Sequence, residues 1–264
     1  MSEGRNVACV LVFAGLDPSG GAGIQADIQA ISAAGAHALP IVTALTVQDN
    51  QHVHAVHPVD PEVLRAQVRA LVDQSTRLDA IKIGIVGSVA NAKVIADVIT
   101  LLRATNADLP VVLDPVLASG HGDMLSKGDA VQALAPLRTL ATLITPNLPE
   151  ACALCSVEDI DAQARILMQD APHVLIKGGH GEGDVIVNRW FSAGSQRDWT
   201  WPRLRGEFHG SGCTLASAIA ARLAQHVPME VALDTAQQYT QHALTNAFSI
   251  APGQQIPNRV KEMS

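Results

Sequence analysis

The sequence His209-Gly-Ser-Gly-Cys-Thr-Leu-Ala-Ser217 joins a glycine-rich turn directly to a helix-forming segment. Apolar residues recur in that segment at Leu215, Ile219 and Leu223, which is the spacing of one helix face. The glycines and Cys213 therefore fall at the N-terminus of the predicted helix, where unpaired backbone N–H groups and the helix dipole favour an anion. The same field is expected to lower the pKa of a thiol in the first turn.

Two interpretations of this turn are open on these residues. In the first, Gly210, Ser211 and Gly212 form an anion site, and Cys213 acts as a base or a nucleophile. In the second, the glycines only shape a turn and Cys213 is a small buried side chain. The rest of the sequence has to decide between them.

The composition indicates a single α/β domain over residues 1–264. Hydrophobic residues make up 48% of the chain against 16% charged, so a large core is available and disorder is not expected. Aromatic residues are only 3%, so the core must be aliphatic, as in parallel sheets covered by helices. The net charge of −7 and the lack of a basic block argue against nucleic acid or an anionic membrane as the main partner.

The sequence also carries no pattern of a membrane or secreted protein. No apolar run approaches the roughly 18 residues that a membrane span needs. Residues 7–14 lack a convincing signal-peptide cleavage site and are expected to be a first buried strand. The four cysteines show no framework spacing, and Cys152 and Cys155 are expected to be small core residues. We therefore expect a cytoplasmic protein.

Strands and helices are predicted to alternate along the chain, which is typical of a parallel sheet. The predicted strands are residues 7–14, 37–48, 80–86, 110–113, 142–145 and 173–177, with a peripheral antiparallel pair at 185–191 and 198–201. The predicted helices cover residues 24–34, 89–103, 129–137 and 231–248, and three further helices begin near residues 61, 147 and 213.

Polar residues follow several of these strands, at the edge where open α/β sheets bind ligands. Gln48 ends the second strand, and Asp114 closes a buried strand in a position suited to Mg²⁺. Lys177 stands before two glycines, where an incoming phosphate could reach it. Asn147 and Glu150 have the spacing of a capping box and also suit a nucleotide–metal site. For each of these residues, a turn, surface or capping role is the alternative.

The loop Gly15-Leu-Asp-Pro-Ser-Gly-Gly-Ala-Gly23 nearly matches two nucleotide-binding patterns and fails both. Gly15 and Gly20 have the spacing of a phosphate loop, but Gly21 stands where the lysine belongs. The pair Gly21-x-Gly23 imitates a dinucleotide fingerprint, yet no clear acidic residue closes the next strand. Taken by itself, this loop is weak evidence for either nucleotide.

Together, these motifs closely resemble the hydroxymethylpyrimidine/phosphomethylpyrimidine kinases of thiamine biosynthesis. The blocks recur in family order over nearly the whole chain, as Gly15-Leu-Asp-Pro-Ser-Gly-Gly-Ala-Gly-Ile-Gln-Ala-Asp27, Val42-Thr-Ala-Leu-Thr-Val-Gln48, Lys82-Ile-Gly84, Asp114-Pro-Val116, Thr145-Pro-Asn-Leu-Pro-Glu150, Lys177-Gly-Gly-His180 and His209-Gly-Ser-Gly-Cys-Thr-Leu-Ala-Ser217. The resemblance implies a ribokinase-like fold, a three-layer α/β/α sandwich with a mostly parallel central sheet. It also implies a homodimer.

The resemblance further implies a reaction. The γ-phosphoryl group of ATP would pass to the hydroxymethyl group of 4-amino-5-hydroxymethyl-2-methylpyrimidine, with Mg²⁺ as cofactor, and the monophosphate would then be phosphorylated to the diphosphate. Gly15, Asp27 and Gln48 match the lining of the family's pyrimidine pocket, where Gln48 would hydrogen-bond the aminopyrimidine edge. On this reading the N-terminal glycine loop serves the pyrimidine, and not a nucleotide.

The remaining motifs match the phosphate end of such a site. Asn147, Glu150 and Lys177 match positions around the ATP phosphates, and Asp114 and Glu150 match positions around Mg²⁺. Gly210, Ser211, Gly212 and Cys213 match the family's anion hole, with Cys213 standing where many ribokinase relatives carry an aspartate base.

One loop departs from the family, and three other functions stay open. Many members carry Lys-Ser-Gly after the position of Val116, whereas this chain has Ser119-Gly-His-Gly122, which leaves open how the loop covers the phosphates.

The nearest alternative function is that of a pyridoxal kinase of the same superfamily. The others are a pyrimidine-binding module without catalysis and, from Gly21-x-Gly23, an NAD oxidoreductase. The joint presence of acidic, basic and thiol side chains in the motifs argues against the non-catalytic module.

Overall fold

The computed structural model describes residues 7–117 and 130–260, which contain one nine-stranded sheet. In chain order the strands are β1 (Cys9–Leu16), β2 (His37–Gln48), β3 (Val53–Pro58), β4 (Ala80–Ile83), β5 (Val111–Leu113), β6 (Leu143–Ile144), β7 (His173–Ile176), β8 (Val185–Ser192) and β9 (Ser195–Pro202). Across the sheet their order is β3-β2-β1-β4-β5-β6-β7-β8-β9. The six central strands are parallel, namely β2, β1, β4, β5, β6 and β7. Strand β3 pairs antiparallel at one edge, and β8 and β9 pair antiparallel at the other. The predicted mostly parallel sheet is confirmed.

Helices cover both faces of the sheet and complete the predicted three layers. They are α1 (Gly23–Ala33), α2 (Pro61–Asp73), α3 (Val89–Arg103), α4 (Ala130–Arg138), α5 (Leu148–Cys155), α6 (Ile160–Leu167), α7 (Ser211–Ala224) and α8 (Met229–Thr245). Apolar side chains of α1, α7 and α8 pack on one face, and those of α2, α3 and α4 on the other. Strand β1 alternates between the two cores, with Val10 and Val12 in the first and Leu11 and Phe13 in the second. Within the described ranges, no helix is long and apolar enough to cross a membrane.

The predicted elements agree with the structure where the local signals are strong. Strand β2 and helix α3 have the predicted boundaries, and the other predicted elements shift by a few residues at their ends. Helix α6 is missing from the prediction, although Asp159 caps it by accepting a hydrogen bond from the Ala162 N–H at 2.8 Å. The departing loop at residues 119–122 lies outside the described residues.

All four cysteines are free thiols, as their irregular spacing predicts. Cys152 and Cys155 lie on α5 and are only partly buried, so they border the core and do not sit inside it. The Cys155 thiol donates to the backbone carbonyl of Gln163 on α6 at 3.7 Å. Cys155 therefore contributes a weak contact between α5 and α6.

Helix α7 occupies the centre of its face and is rich in small residues. Its side chains are buried from Thr214 to Ala221, and it packs against α1, α8 and the strands β1, β4 and β5. Alanine side chains permit this close packing from several sides at once. The packing fixes the N-terminus of α7 beside the ends of the central strands.

We expect Ala220→Leu to lower the free energy of unfolding by about 1–3 kcal/mol, because the fully buried site has no room for a larger side chain. Ala66→Leu on the exposed face of α2 is the matched control and should change stability by less than about 0.5 kcal/mol. Denaturant titrations of both variants measure the difference. Equal stability of the two variants would contradict the close packing of α7.

Candidate functional site

A cavity of about 490 Å³ opens at the edge of the sheet where the parallel strands end. It lies between these strand ends and the N-terminus of α7. Every predicted site residue except Asp27 lines it, namely Gly15, Gln48, Asp114, Asn147, Glu150, Lys177, Gly210, Ser211, Gly212 and Cys213. The structure therefore brings together motifs that lie far apart in the sequence.

Close contacts surround both glycines of the α7 turn, and those at Gly210 exclude any side chain. Gly210 is the N-cap, with a φ of 83° that L side chains rarely adopt, and a Cβ there would collide with the carbonyl oxygen of Gly21. A Cβ on Gly212 would lie only 3.1 Å from the ammonium nitrogen of Lys177. The turn thus lets the first N–H groups of α7 and the Lys177 ammonium group face the same small volume. That arrangement suits a phosphate.

Arg259 stabilises this turn through hydrogen bonds, and the sequence pattern does not predict this role. Its side chain is 1% exposed and donates to the Thr214 hydroxyl at 2.8 Å and to the carbonyl oxygen of Gly21. The same guanidinium group lies 3.4 Å from the carbonyl oxygen of Gly210. Arg259 therefore fixes the backbone of both glycine turns. Its place in a polar C-terminal segment gave no signal of this role.

Lys177 and Asp114 form an ion pair inside the cavity. The Lys177 ammonium nitrogen lies 2.7 Å from a carboxylate oxygen of Asp114 and 4.0 Å from one of Glu150. The Thr145 hydroxyl lies 3.3 Å from the same Asp114 oxygen. Burial alone would lower the pKa of Lys177. The nearby carboxylates of Asp114 and Glu150 outweigh burial and raise the pKa above its ordinary value, so the ammonium group stays charged.

Asn147 and Glu150 form the predicted capping box at the start of α5. The Asn147 side chain accepts from the Glu150 N–H at 2.8 Å, and the Glu150 carboxylate accepts from the Asn147 N–H at 2.8 Å. Burial raises the pKa of Glu150 to about 7, against the opposing effect of Lys177. Close to neutral pH, this carboxyl group can therefore give up its proton in exchange for a cation.

The donor set fits a cation that arrives with a phosphate. In the part of the chain that the structure describes, no three His, Cys, Asp or Glu side chains are placed to hold a metal ion together. Asp114 and Glu150 both line the cavity, however, and each contacts Lys177. Mg²⁺ is commonly held by one or two carboxylates together with substrate phosphates and water. Two carboxylates beside an anion site meet that requirement.

Cys213 lines the cavity in the first turn of α7, but its pKa shifts in the opposite direction to the prediction. Burial raises the pKa of the thiol to about 11, although Lys82 and the Gly23 backbone N–H both lower it. Asp27 and Asp114 raise it further. The predicted lowering of the pKa is therefore wrong, because burial of the thiol has the largest effect. At neutral pH Cys213 is protonated.

Asp27 lies beneath the cavity and not in its lining. Its fully buried carboxylate accepts from the Lys82 ammonium group at 2.8 and 2.9 Å and from the Ser217 hydroxyl at 2.7 Å. Lys82 does line the cavity. Any contribution of Asp27 to the pyrimidine pocket is thus indirect, through a buried cation that it holds in place. The two partners lie 55 positions apart, which no local sequence pattern reports.

Asp17 and His209 also line the cavity, although the sequence motifs did not predict either of them as a site residue. The His209 Nε2 atom lies 2.8 Å from a carboxylate oxygen of Asp17, which joins the first glycine loop to the turn before α7. Asp17-Pro18-Ser19 is a pattern typical of a turn closed by an aspartate side chain. That pattern could have identified Asp17 as an ordered carboxylate.

We expect Lys82→Met to lower the free energy of unfolding by roughly 3–5 kcal/mol, because it leaves the buried Asp27 carboxylate without its cation. Adding Asp27→Asn removes the second charge and keeps a partner for the Ser217 hydroxyl. The double variant should therefore recover a large part of the loss. Denaturant titrations of the three proteins measure this coupling, and a double variant no more stable than Lys82→Met would contradict it.

Comparison with known proteins identifies relatives over almost the whole chain. A family model described as phosphomethylpyrimidine kinase matches residues 17–258. The hydroxymethylpyrimidine/phosphomethylpyrimidine kinase of Streptomyces coelicolor is 38% identical over 253 residues, which cover 92% of this chain and 91% of that protein.

Solved structures show the same architecture. The pyridoxal kinase of Staphylococcus aureus, in complex with AMP-PCP and pyridoxal, has a TM-score of 0.83 at 28% identity, over 96% of this chain and 94% of that one. The phosphomethylpyrimidine kinase of Clostridium difficile has a TM-score of 0.75 at 30% identity, over 89% of this chain and 99% of that one. The expected ribokinase-like fold is confirmed, and the chain belongs to the phosphomethylpyrimidine kinase family.

Proposed function

We propose that this chain transfers the γ-phosphoryl group of ATP to the hydroxymethyl group of 4-amino-5-hydroxymethyl-2-methylpyrimidine. It then phosphorylates the monophosphate to the diphosphate, which serves thiamine biosynthesis. The observation that carries the proposal is one cavity with two kinds of wall. Gln48 and Asp17 offer hydrogen-bonding groups for a ring edge, whereas Lys177 and the N-terminus of α7 suit phosphates, and Asp114 suits a metal ion bound to them.

The phosphates of ATP would bind at the N-terminus of α7. The first N–H groups of a helix have no intrahelical partner, and Gly212 lacks the Cβ that would fill the space beside Lys177. Phosphoryl transfer demands chiefly positioning and neutralisation of charge. Rigid backbone N–H groups supply the positioning, and Lys177 supplies a charge that remains in place through the reaction.

A smaller cavity of about 100 Å³ adjoins this phosphate region and would hold the adenine ring. It shares Lys177 and Gly212 with the larger cavity. Its other walls include Ile186, Trp201 and Leu215, which offer apolar contacts to a flat ring. ATP would thus extend from this apolar end to the helix N-terminus.

Asp114 and Glu150 would hold Mg²⁺ together with the phosphates. When bound, Mg²⁺ neutralises the negative charge that develops on the phosphoryl oxygens. Asn147 keeps Glu150 in place through the capping box, so this carboxylate is oriented before any ligand arrives. The raised pKa of Glu150 makes binding of a cation pH-dependent, because the bound proton must leave first.

Cys213 would take the proton from the substrate hydroxymethyl group as phosphoryl transfer proceeds. The thiol has to lose its own proton first, and its raised pKa opposes this. The buried Lys82 ammonium group lowers the pKa of Cys213 and favours the thiolate. In the competing interpretation, the backbone N–H groups of α7 act without the thiol and Cys213 only fits a tight turn.

Pyridoxal kinase is the second candidate function. The S. aureus pyridoxal kinase gives the higher TM-score of the two neighbours, whereas the sequence match favours the pyrimidine kinases. Both types of substrate carry a hydroxymethyl group on a heteroaromatic ring. An ATP-consumption assay with both substrates separates the two functions.

A homodimer also stays a prediction. Leu45 and Val47 on β2 expose apolar side chains near the cavity end of that strand, where a second subunit could cover them. Light scattering of the purified chain tests this, and a monomeric mass at micromolar concentration would contradict it.

The first prediction of function is a time course followed by phosphorus NMR. With ATP, Mg²⁺ and the pyrimidine alcohol, the wild-type chain should form a monophosphate signal that is later replaced by diphosphate signals.

Lys177→Met keeps most of the side-chain volume and should reduce kcat at least tenfold, because negative charge develops on the phosphoryl group beside the missing ammonium group. Turnover within a few-fold of wild type in this variant would exclude Lys177 from the phosphate site.

The second prediction concerns Cys213. If the thiolate is the base, Cys213→Ser should lower kcat by about 10² or more while ATP still binds, and Cys213→Asp should restore part of the rate. Wild-type kcat should rise with pH from neutral upward, because the thiolate fraction grows until the pH approaches about 11. A serine variant with near wild-type activity would leave catalysis to the backbone N–H groups.

A further inference from the structure

We propose that Arg259 supplies the counter-charge of the anion site, as a buried cation that acts through the peptide groups of the α7 turn and raises the affinity of this turn for nucleotide phosphates. This inference rests on the proposed function, because it concerns how the same turn holds the phosphates. Arg259 is not part of the cavity lining, so it is a positioning residue that acts through the backbone.

The Arg259 guanidinium group lies behind the two peptide groups that open α7. Its Nη2 atom is 3.5 Å from the carbonyl oxygen of His209 and 3.4 Å from that of Gly210. In a trans peptide group the carbonyl and the N–H point in opposite directions. The N–H groups of Gly210 and Ser211 belong to these two peptide groups and are therefore turned away from Arg259. Both residues line the cavity.

A hydroxyl group connects the same cation to the turn a second time. The Arg259 Nε–H donates to the Thr214 hydroxyl at 2.8 Å, and this hydroxyl donates to the carbonyl oxygen of Gly210 at 2.8 Å. Hydrogen bonds arranged in such a chain polarise one another. The peptide group between Gly210 and Ser211 is therefore polarised from its carbonyl end, which makes its N–H a stronger donor to an anion.

No acidic side chain of the described chain balances the charge of Arg259. Its acceptors are all uncharged, namely the Thr214 hydroxyl, the carboxamide oxygen of Gln29 at 3.4 Å and backbone carbonyl oxygens. The buried carboxylate of Asp27 is already paired with Lys82. A guanidinium group keeps its charge in a protein, and burying a charge without an ion-pair partner is costly. A phosphate bound at the α7 turn would supply the missing negative charge.

The position of this cation is fixed before any ligand binds. The Tyr239 hydroxyl on α8 donates to the Arg259 carbonyl oxygen at 2.8 Å, and the Asn258 N–H donates to the Ala243 carbonyl oxygen at 2.9 Å. A Cβ on Gly210 would lie only 2.8 Å from Arg259 Nη2, so the guanidinium group packs directly against the N-cap. A charge that is already in place costs no rearrangement when the anion arrives.

The first test replaces Arg259 and measures nucleotide affinity by calorimetric titration without Mg²⁺. Arg259→Gln removes the charge but keeps a side-chain amide that can donate, whereas Arg259→Lys keeps the charge. We expect the Kd for ADP to rise at least about tenfold in the glutamine variant and less than about threefold in the lysine variant. The Kd for adenosine should be unchanged in both, because adenosine has no phosphate.

Arg222→Gln is the matched control for the loss of a charge. Arg222 lies near the C-terminal end of α7 and donates to the carbonyl oxygen of Ala34 at 3.4 Å. It is roughly 16 Å along the helix from the N-terminus, beyond the distance of about 10 Å over which charges act in 0.1 M salt. This variant should therefore bind ADP within about twofold of wild type.

The second test keeps Arg259 and balances its charge. Gln29→Glu is nearly isosteric and places a carboxylate against the guanidinium group, so the Kd for ADP should again rise at least about tenfold while thermal stability is retained. Gln225→Glu is its matched control, because the Gln225 carboxamide oxygen accepts from Arg222 at 3.2 Å in a similar pair at the other end of α7. The control should bind ADP within about twofold of wild type.

A purely structural role for Arg259 predicts different results. Lysine and glutamine both lack the planar fork of arginine, so in that case the two variants lose affinity for ADP and for adenosine to the same extent. Gln29→Glu would then bind ADP as wild type does. Either result overturns the proposal. Thermal unfolding reports whether the variants fold, and if those of Arg259 do not, the comparison of Gln29→Glu with Gln225→Glu decides alone.

The same titrations separate this inference from the proposed function. A wild-type chain that binds ADP and phosphorylates the pyrimidine alcohol, with an Arg259→Gln variant that binds ADP equally well, sinks the role of Arg259 and leaves the function standing. A folded wild-type chain with no affinity for ADP sinks the proposed function, and the inference with it.

Discussion

Two glycine-rich turns meet backbone to backbone beside the cavity, and the rest of the site depends on how closely they approach. A Cβ on Gly23 would collide with the carbonyl oxygen of Gly15, and one on Gly210 would collide with that of Gly21. Both glycines have positive φ, at 58° and 83°. Because no side chain separates the turns, the start of α1 reaches the start of α7. The loop that carries Asp17 is thereby held next to the anion site.

The distribution of charge explains how an acidic chain can attract a phosphorylated ligand. The net charge is −7, yet the cavity contains Lys82, Lys177 and the positive end of α7. Each lysine is held by a carboxylate, Lys82 by Asp27 and Lys177 by Asp114. Each lysine is therefore balanced by its own carboxylate, and the N–H groups at the start of α7 remain to attract an anion.

Local patterns predicted the elements, whereas long-range contacts determined the details of the site. The boundaries of β2 and α3 and the Asn147–Glu150 capping box could be read from neighbouring residues, because apolar periodicity and caps are local properties. The resemblance to a family placed most of the remaining residues at one cavity. The sequence does not place Asp27 beneath the cavity, because this residue of α1 pairs with Lys82 on β4 and no spacing rule connects the two. The pKa of Cys213 was misjudged for the same reason, since burial and distant carboxylates control it.

The contact of Arg259 with Gly21 has a consequence for the order of folding. The two residues are 238 positions apart, so their hydrogen bond closes nearly the longest loop that the chain allows. Loop closure of this kind costs entropy that only earlier native contacts can reduce. We therefore expect the strands and α7 to assemble before the guanidinium group finds its acceptors. In that order the glycine turns would acquire their final geometry late, and most of the secondary structure would form before the anion site is rigid.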